Sequence, residues 1–189
     1  GEDRTYVEYY KKINRSLKKV KTKYVYFLDQ GDYLNFDTLS KCINFLEKNK
    51  NYSSSLGKVF NFKIIKDQMF VIAELYKNKI IYKKSIFERI TNNFHLRSYH
   101  ALHKASILKK SLSMIVNLKI KEPRTAELII DFNNLINGNI HTLNKTLLLH
   151  NSTQNINGKT SLNKKHRTRK IWYDEYFNFI FEKVLKNLI

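Results

Sequence analysis

Two aspartates, Asp29 and Asp32, close the apolar run inside KYVYFLDQGDYLNFDTL, residues 23–39 of a chain that holds only 16 acidic side chains. Carboxylates are hard oxygen donors for divalent cations, so where so few of them fall is informative. The run before them, residues 24–28, is short, aromatic and β-branched, with turn chemistry after it, which predicts a buried strand. A strand apolar on both faces belongs inside a sheet covered by helices. In open α/β sheets, ligands bind in the crevice outside the carboxyl ends of strands. Asp29 and Asp32 are therefore either a ligand site or a polar turn that closes the strand and caps the next helix. Glu127 by itself reads as a first-turn carboxylate favoured by the helix dipole. Asp131, one turn on, fits a solvated helix face, and His150 falls at the end of a predicted strand.

The bulk properties bound the possibilities. A length of 189 residues suits one domain, or one domain plus an appendage, and 42% hydrophobic with 13% aromatic residues can bury a core. No run approaches the ~18 apolar residues of a membrane span. The opening GEDRTYVEYYKK is charged from the start and has neither an initiating Met nor a signal-peptide pattern. The single cysteine, Cys42, excludes an internal disulfide and a thiolate zinc cage, and reads as a buried helix position. A net charge of +19 points to an anionic partner. It is equally the product of an A+T-rich genome, because the excess is mostly Lys beside abundant Asn, Ile, Tyr and Phe. The densest basic run is KKHRTRK, residues 164–170.

Periodicity places the elements that must carry these residues. Tyr6, Val7, Tyr10, Ile13, Leu17 and Val20 predict a helix over 4–20. A second helix over 37–48 runs into the polar stretch NKNYSSS. Extended pieces over 57–65 and 69–76 flank Lys66-Asp67-Gln68, a plausible tight turn between antiparallel strands. Residues 85–94 read as helix, 98–103 as a short strand and 104–115 as helix. Glu122-Pro123 opens a helix that Gly138 stops, with a strand over 140–149 after it. Residues 151–170 read as a polar, basic loop and 171–188 as an aromatic amphipathic helix. The domain reading is 1–150 plus an appendage, 151–189.

Taken in order, these segments resemble family 2 glycosyltransferases of the GT-A fold. In KYVYFLDQGDYLNFDTLSKCINFLEKNKNYSSSLGKV a strand ends in a DxD-like turn that leads into a helix. In RTAELIIDFNNLINGNIHTLNKTLLLH an acid lies near the start of a helix that ends at Gly and is followed by a strand, with Glu127 eleven residues before Gly138. The likeness covers most of residues 20–150. It implies an α/β, Rossmann-like mixed sheet flanked by helices, incomplete at its N-terminus, because the family's first nucleotide-binding half would precede residue 1. It also implies transfer of a sugar from a nucleotide-sugar donor to a saccharide or lipid-linked acceptor, in cell-surface polysaccharide or glycoconjugate synthesis. Asp29, Gly31 and Asp32 would meet the nucleotide sugar, Asp32 and His150 a Mg²⁺ or Mn²⁺ ion. Glu127, with Asp131 as its substitute, would be the base.

The chain departs from the family pattern at two of these positions. Gly31 stands where the family's direct metal ligand sits, and Ala126 replaces the first acid of the Glu-Asp pair. A degenerate, inactive transferase is therefore a rival reading. His100 and His103, in SYHALHK, are spaced for packing or acceptor contact rather than for a shared metal. Another rival is a non-catalytic basic module for nucleic acid or anionic membrane. Against nucleic acid, there is no helix-turn-helix signature, zinc spacing or ribonucleoprotein aromatic pattern. A basic run before an amphipathic segment does suit a membrane surface, through residues 164–189. The expected location is cytoplasmic, with peripheral contact at the inner face of the membrane.

Overall fold

A computed structural model describes residues 5–75, 82–93 and 98–152. The expectations for residues 153–189, the basic loop and the closing helix, lie outside the described residues. Helix α1 (Tyr6–Lys19) precedes strand β1 (Tyr24–Val25), β2 (Tyr33–Leu34) and helix α2 (Phe36–Lys48). The hairpin β3 (Tyr52–Ile65) and β4 (Gln68–Glu74) comes next, then α3 (Ile86–Asn93) and a 3-10 turn, Ser98–His100. Strand β5 (Leu102–Lys104), α4 (Ala105–Asn117), α5 (Pro123–Asn137) and β6 (Asn139–Asn151) complete the order. The result is a mixed sheet ordered β1-β5-β3-β6-β2, with β4 pairing on β3. No helix among the described residues is long and apolar enough to cross a membrane.

The helices begin and end where local chemistry satisfies their open backbone groups. Asn35 caps α2 by accepting from the Thr38 N–H at 3.0 Å. Glu122 caps α5 by accepting from the Thr125 N–H at 2.9 Å, with Pro123 at the first position. The carboxylate at the start of α5 is thus Glu122, which is buried; Glu127 lies a turn further in. At the other end of α5, the buried Arg89 guanidinium donates to the carbonyls of Leu135 (2.7 Å), Ile136 (3.1 Å) and Lys84 (2.7 Å). A cation against the last carbonyls of a helix both pairs those acceptors and opposes the helix dipole. Leu17, Leu108, Leu112, Ile115, Ile129 and Ile130 form the core between α1, α4 and α5. Cys42 and Leu46 of α2 pack on Leu102 of the sheet.

Three local expectations change. The run 24–28 forms a ladder only at Tyr24–Val25, on the border of the sheet against Lys104 and His103 of β5. It is not a central strand: Tyr24 to Phe27 are half-buried and Leu28 is half exposed. The extended piece expected from residue 57 begins earlier, inside NKNYSSS: β3 starts at Tyr52, and Ser53, Ser54 and Ser55 are fully buried. Their small hydroxyls fit there: Ser53 donates to the Asn139 carbonyl at 3.1 Å, and Ser55 shares a 3.0 Å hydrogen bond with His141 Nδ1. Residues 98–103 divide into the 3-10 turn and β5. The β3–β4 connection is the expected tight turn, with Lys66 and Asp67 at φ +47° and +61°, the paired positive values of a type I′ hairpin.

The central pairing is β3 with β6, parallel from Tyr52↔Asn139 to Phe62↔Asn151. It requires close backbone approach at two glycines. A Cβ on Gly138 would lie 2.8 Å from the Asn51 carbonyl oxygen, and one on Gly57 2.5 Å from Leu147 Cβ. Gly57→Ala should therefore cost about 1–3 kcal/mol by overpacking, read as a lower chemical-denaturation midpoint; an unchanged midpoint would contradict the close approach.

Burial also pushes the His100 and His103 imidazoles down to about 4. Between that value and the ordinary 6.5, the unfolded chain binds more protons than the folded one, so stability falls as pH falls through this window. The loss should be on the order of 3 kcal/mol for each histidine. Denaturation midpoints measured from pH 7 to 4 should show the decline, shallower in His103→Gln.

Candidate functional site

Register brings the first cluster together. The turn after residue 28 closes with the Asp32 N–H donating to the Asp29 carbonyl at 3.2 Å, and Gly31 at its third position takes φ +86°. A positive φ there is the requirement of a type II turn, which glycine meets without strain. Strand β2 then pairs antiparallel with the end of β6, Tyr33 opposite Leu149. That register sets Asp32 across from His150. Asp32 Oδ1 accepts from the Asn151 N–H at 2.8 Å, and both carboxylate oxygens lie 3.1 Å from His150 Nδ1. The two aspartates therefore do not cap α2; Asn35 does that.

One ligand atom from each of Asp29, Asp32 and His150 lies within 4.8 Å of the others. Two carboxylates and an imidazole make a donor set suited to a hard or borderline divalent cation. The electrostatics fit a tight cluster. Burial, then the Asp32 charge, raises the Asp29 carboxyl above the usual range, against the opposing pull of His150. The hydrogen bond to Asp32, stronger than the penalty of burial, raises His150. The Asp32 side chain is only 1% exposed and that of His150 21%. Gly31 abuts this cluster: a Cβ on it would lie 3.1 Å from Asn151 Nδ2.

Glu127 stands in a second feature, a cavity of about 180 Å³ lined by Tyr6, Tyr9, Tyr10, Tyr99, Pro123, Ala126, Glu127 and Ile130. Two of these tyrosines are held neutral. Burial first, and neighbouring phenols and carboxylates second, push Tyr10 and Tyr99 well above the ordinary phenol value. Tyr9 and Tyr99 share a hydroxyl–hydroxyl hydrogen bond of 3.3 Å.

The 3-10 turn Ser98–His100 joins the two features. Tyr99 lines the cavity, and the Asp29 charge is among the causes of its raised pKa. The next ring, His100, lies 5.3 Å from that of His150. Asp131 fixes this turn. Its Oδ1 accepts from the Ser98 N–H at 2.6 Å and the Ser98 hydroxyl at 2.5 Å. Asn134 donates to the same hydroxyl at 3.0 Å and meets His103 Nδ1 at 3.1 Å. Asp131 and His103 are thus both buried in one network. Asp131 is no solvated-face residue.

Of the residues singled out in the sequence, Asp29, Asp32 and His150 converge, with Gly31 beside them. Glu127 occupies the neighbouring cavity, and Asp131 holds the turn between. His100, read for packing or acceptor contact, lies near His150, and Tyr9, Tyr99 and Asn151 escaped notice. Tyr99 sits in a short stretch with no periodicity, and Tyr9, packed with Tyr6 and Ile13 on the apolar face of α1, carries no signal beyond that of a core residue. Asn151 acts through its backbone, for which no side-chain signal exists.

The chain has a mixed α/β fold with a curled mixed sheet, and that fold is similar to one already solved. The solved structure of residues 1–349 of S. aureus TarS, a glycosyltransferase, matches with a TM-score of 0.50 and 17% sequence identity, over 92% of this chain and 51% of that one. The chain spans about half the length of that structure, and likeness at this identity bears on the fold alone. No protein-family model and no curated protein matches the sequence.

The ion pair makes a checkable statement. His150 should titrate above 6.5 by histidine NMR and fall back in Asp32→Asn. Because its folded pKa is raised, the stability it contributes is full below about 6.5 and is lost as pH rises through the folded value. An unshifted His150 in the unsubstituted chain would contradict the geometry.

Proposed function

We propose that this chain carries the cation-binding and acceptor-side portion of a glycosyltransferase, acting on a nucleotide-sugar donor and a saccharide or lipid-linked acceptor. The observation that carries this reading is the convergence of Asp29, Asp32 and His150 within 4.8 Å, in a fold similar to that of TarS. Asp29, Asp32 and His150 would hold a Mg²⁺ or Mn²⁺ ion. Such an ion supplies positive charge where a nucleoside diphosphate departs.

The remaining work falls to the chain's own residues. The acceptor hydroxyl oxygen bonds to the anomeric carbon, the bond from that carbon to the diphosphate oxygen breaks, and the hydroxyl proton passes to the Glu127 carboxylate. The tyrosine walls present neutral rings and hydroxyls to an acceptor. Engaged twice by Ser98, Asp131 positions the turn instead of serving as a base.

One observation favours a second reading, a chain that keeps the fold without the transfer. The Asp32 carboxylate is already satisfied by Asn151 and His150 and is almost fully enclosed, and Gly31 offers no ligand in its place.

Calorimetric titration with Mn²⁺ and UDP or GDP separates the two. Transfer chemistry requires cation-dependent nucleotide binding that Asp32→Ala abolishes and Glu127→Gln retains. Glu127→Gln should lower transfer itself by about 10²–10⁴. Binding of Mn²⁺ should strengthen as pH rises through the raised His150 value, since a ligating imidazole must give up its proton. Absent cation-dependent binding, both in this chain and in one extended at its N-terminus, the transferase reading fails and the second stands.

A further inference from the structure

The amino ends of β3 and β6 lie together, Tyr52 opposite Asn139, and β6 then carries the chain roughly 35 Å to His150 at ~3.3 Å per residue. Lysines gather at this end of the sheet, remote from the Asp29–Asp32–His150 cluster. Antiparallel pairing runs β5 toward the start of β3, so that Lys104 follows His103, the partner of Ser54. Lys104 Nζ donates to the Lys50 carbonyl at 2.9 Å, and Lys23 and Lys50 share the Glu47 carboxylate. Burial first, and then the charges of Lys50 and Lys23, hold the Lys104 ammonium below its ordinary value, so these cations crowd one another. Helix α1 ends four residues before Lys23 and α2 two before Lys50, adding Lys18, Lys19 and Lys48 from their last turns.

Exposed apolar side chains border these lysines. The Tyr82 hydroxyl accepts from Asn51 Nδ2 at 3.5 Å, and its ring lies 6.1 Å from that of Tyr52. The Lys83 N–H donates to Asn139 Oδ1 at 3.0 Å. Arg89, bonded to the last carbonyls of α5, sets the first turn of α3 beside the start of β6. In that turn Ile86 is 41% and Phe87 68% exposed, and Tyr82 before it is 49% exposed. Phe87 points outward because Arg89, two residues on and so across the helix, is buried.

We propose that this end of the sheet docks on an anionic phospholipid surface. The lysines attract headgroup phosphates, their stems lying along the interface while the ammonium groups reach the charge. Tyr82, Ile86 and Phe87 enter the boundary between headgroups and acyl chains. Glu47 and Glu88 offset part of the positive charge and leave it in excess. Cations alone would suit nucleic acid equally well. An aliphatic Ile86 held in water beside Phe87 favours lipid, because it has an acyl boundary to enter but no face on which a base could stack. The surface lies at the opposite end of β6 from His150, so the proposal does not depend on the transfer reading of the cluster.

Co-sedimentation of the 189-residue chain with lipid vesicles is the test. Vesicles of phosphatidylcholine with phosphatidylglycerol should bring the chain down, and phosphatidylcholine alone should not. Removing three exposed charges at this end, by Lys19→Gln, Lys50→Gln and Lys84→Gln together, should weaken binding about 10²-fold. Phe87→Ser, which takes nothing from the core, should weaken it about tenfold with the circular dichroism of the fold unchanged. The same charge removed from the basic run, by Lys164→Gln, Lys165→Gln and Lys170→Gln, should leave most of the binding. An unsubstituted chain that stays in solution with both kinds of vesicle would overturn the proposal. So would binding that the 164–170 variant loses and the sheet-end variant keeps. Duplex DNA binding governed by the sheet-end lysines, with Phe87→Ser unchanged on vesicles, would overturn it in favour of nucleic acid.

Discussion

The parallel ladder between β3 and β6 is the constraint on which the rest depends. Its strands come from the two halves of the described chain, and every functional side chain takes its place relative to them. The ladder determines which residues of β6 reach the end of the sheet, and β2, pairing on the other side of β6, then brings Asp32 against His150. A slip of one residue would turn the imidazole to the opposite face, because side chains alternate along a strand. The carboxylate–imidazole cluster is thus a product of register and not of local sequence. Gly57 and Gly138 hold that register open where the backbones crowd.

On this scaffold the polar interior has a division of labour. The cluster of Asp29, Asp32 and His150 is a site of concentrated charge at the sheet's end. The cavity of Glu127 is walled by neutral phenols. Between them runs the Ser98–His100 turn, held from beneath by Asp131 and Asn134, with His103 packed into the same network. Buried polar networks of this sort are stiff when fully satisfied. Tyr99 and His100 are consequently fixed together, one facing the acid in the cavity and the other the histidine of the cluster.

Much of this was legible in the sequence, and the rest was hidden for identifiable reasons. The α5 boundaries followed from Pro123 and Gly138, whose backbone preferences are local, and the β3–β4 hairpin from Asp67 in a short polar break. The likeness to the glycosyltransferase fold rested on the order of short motifs and matches the fold found. What failed were inferences from polarity alone. Ser53, Ser54 and Ser55 stood outside the strand expected from residue 57 because serines carry no apolar alternation, yet their hydroxyls are buried between strands and two of them pair with β6. The run 24–28 looked central because it is apolar, but Leu28 is exposed and the ladder is two residues long. Strand β2 was missed because two residues carry no periodicity. The meeting of Asp32 with His150, 118 positions apart, depends on a pairing that no local pattern encodes.

The turn at Gly31 restricts which side chains this end of the sheet can carry. The position combines a left-handed backbone with an Asn151 side chain pressed where a Cβ would go. An acid introduced there alone would meet both obstacles together. The backbone is the larger obstacle, because the Asn151 amide at the end of its side chain need give way by only a few tenths of an ångström, whereas the positive φ strains any side chain placed there. The shape of the turn, more than the space beside it, is what keeps position 31 a glycine and leaves the carboxylates of the cluster to its neighbours Asp29 and Asp32.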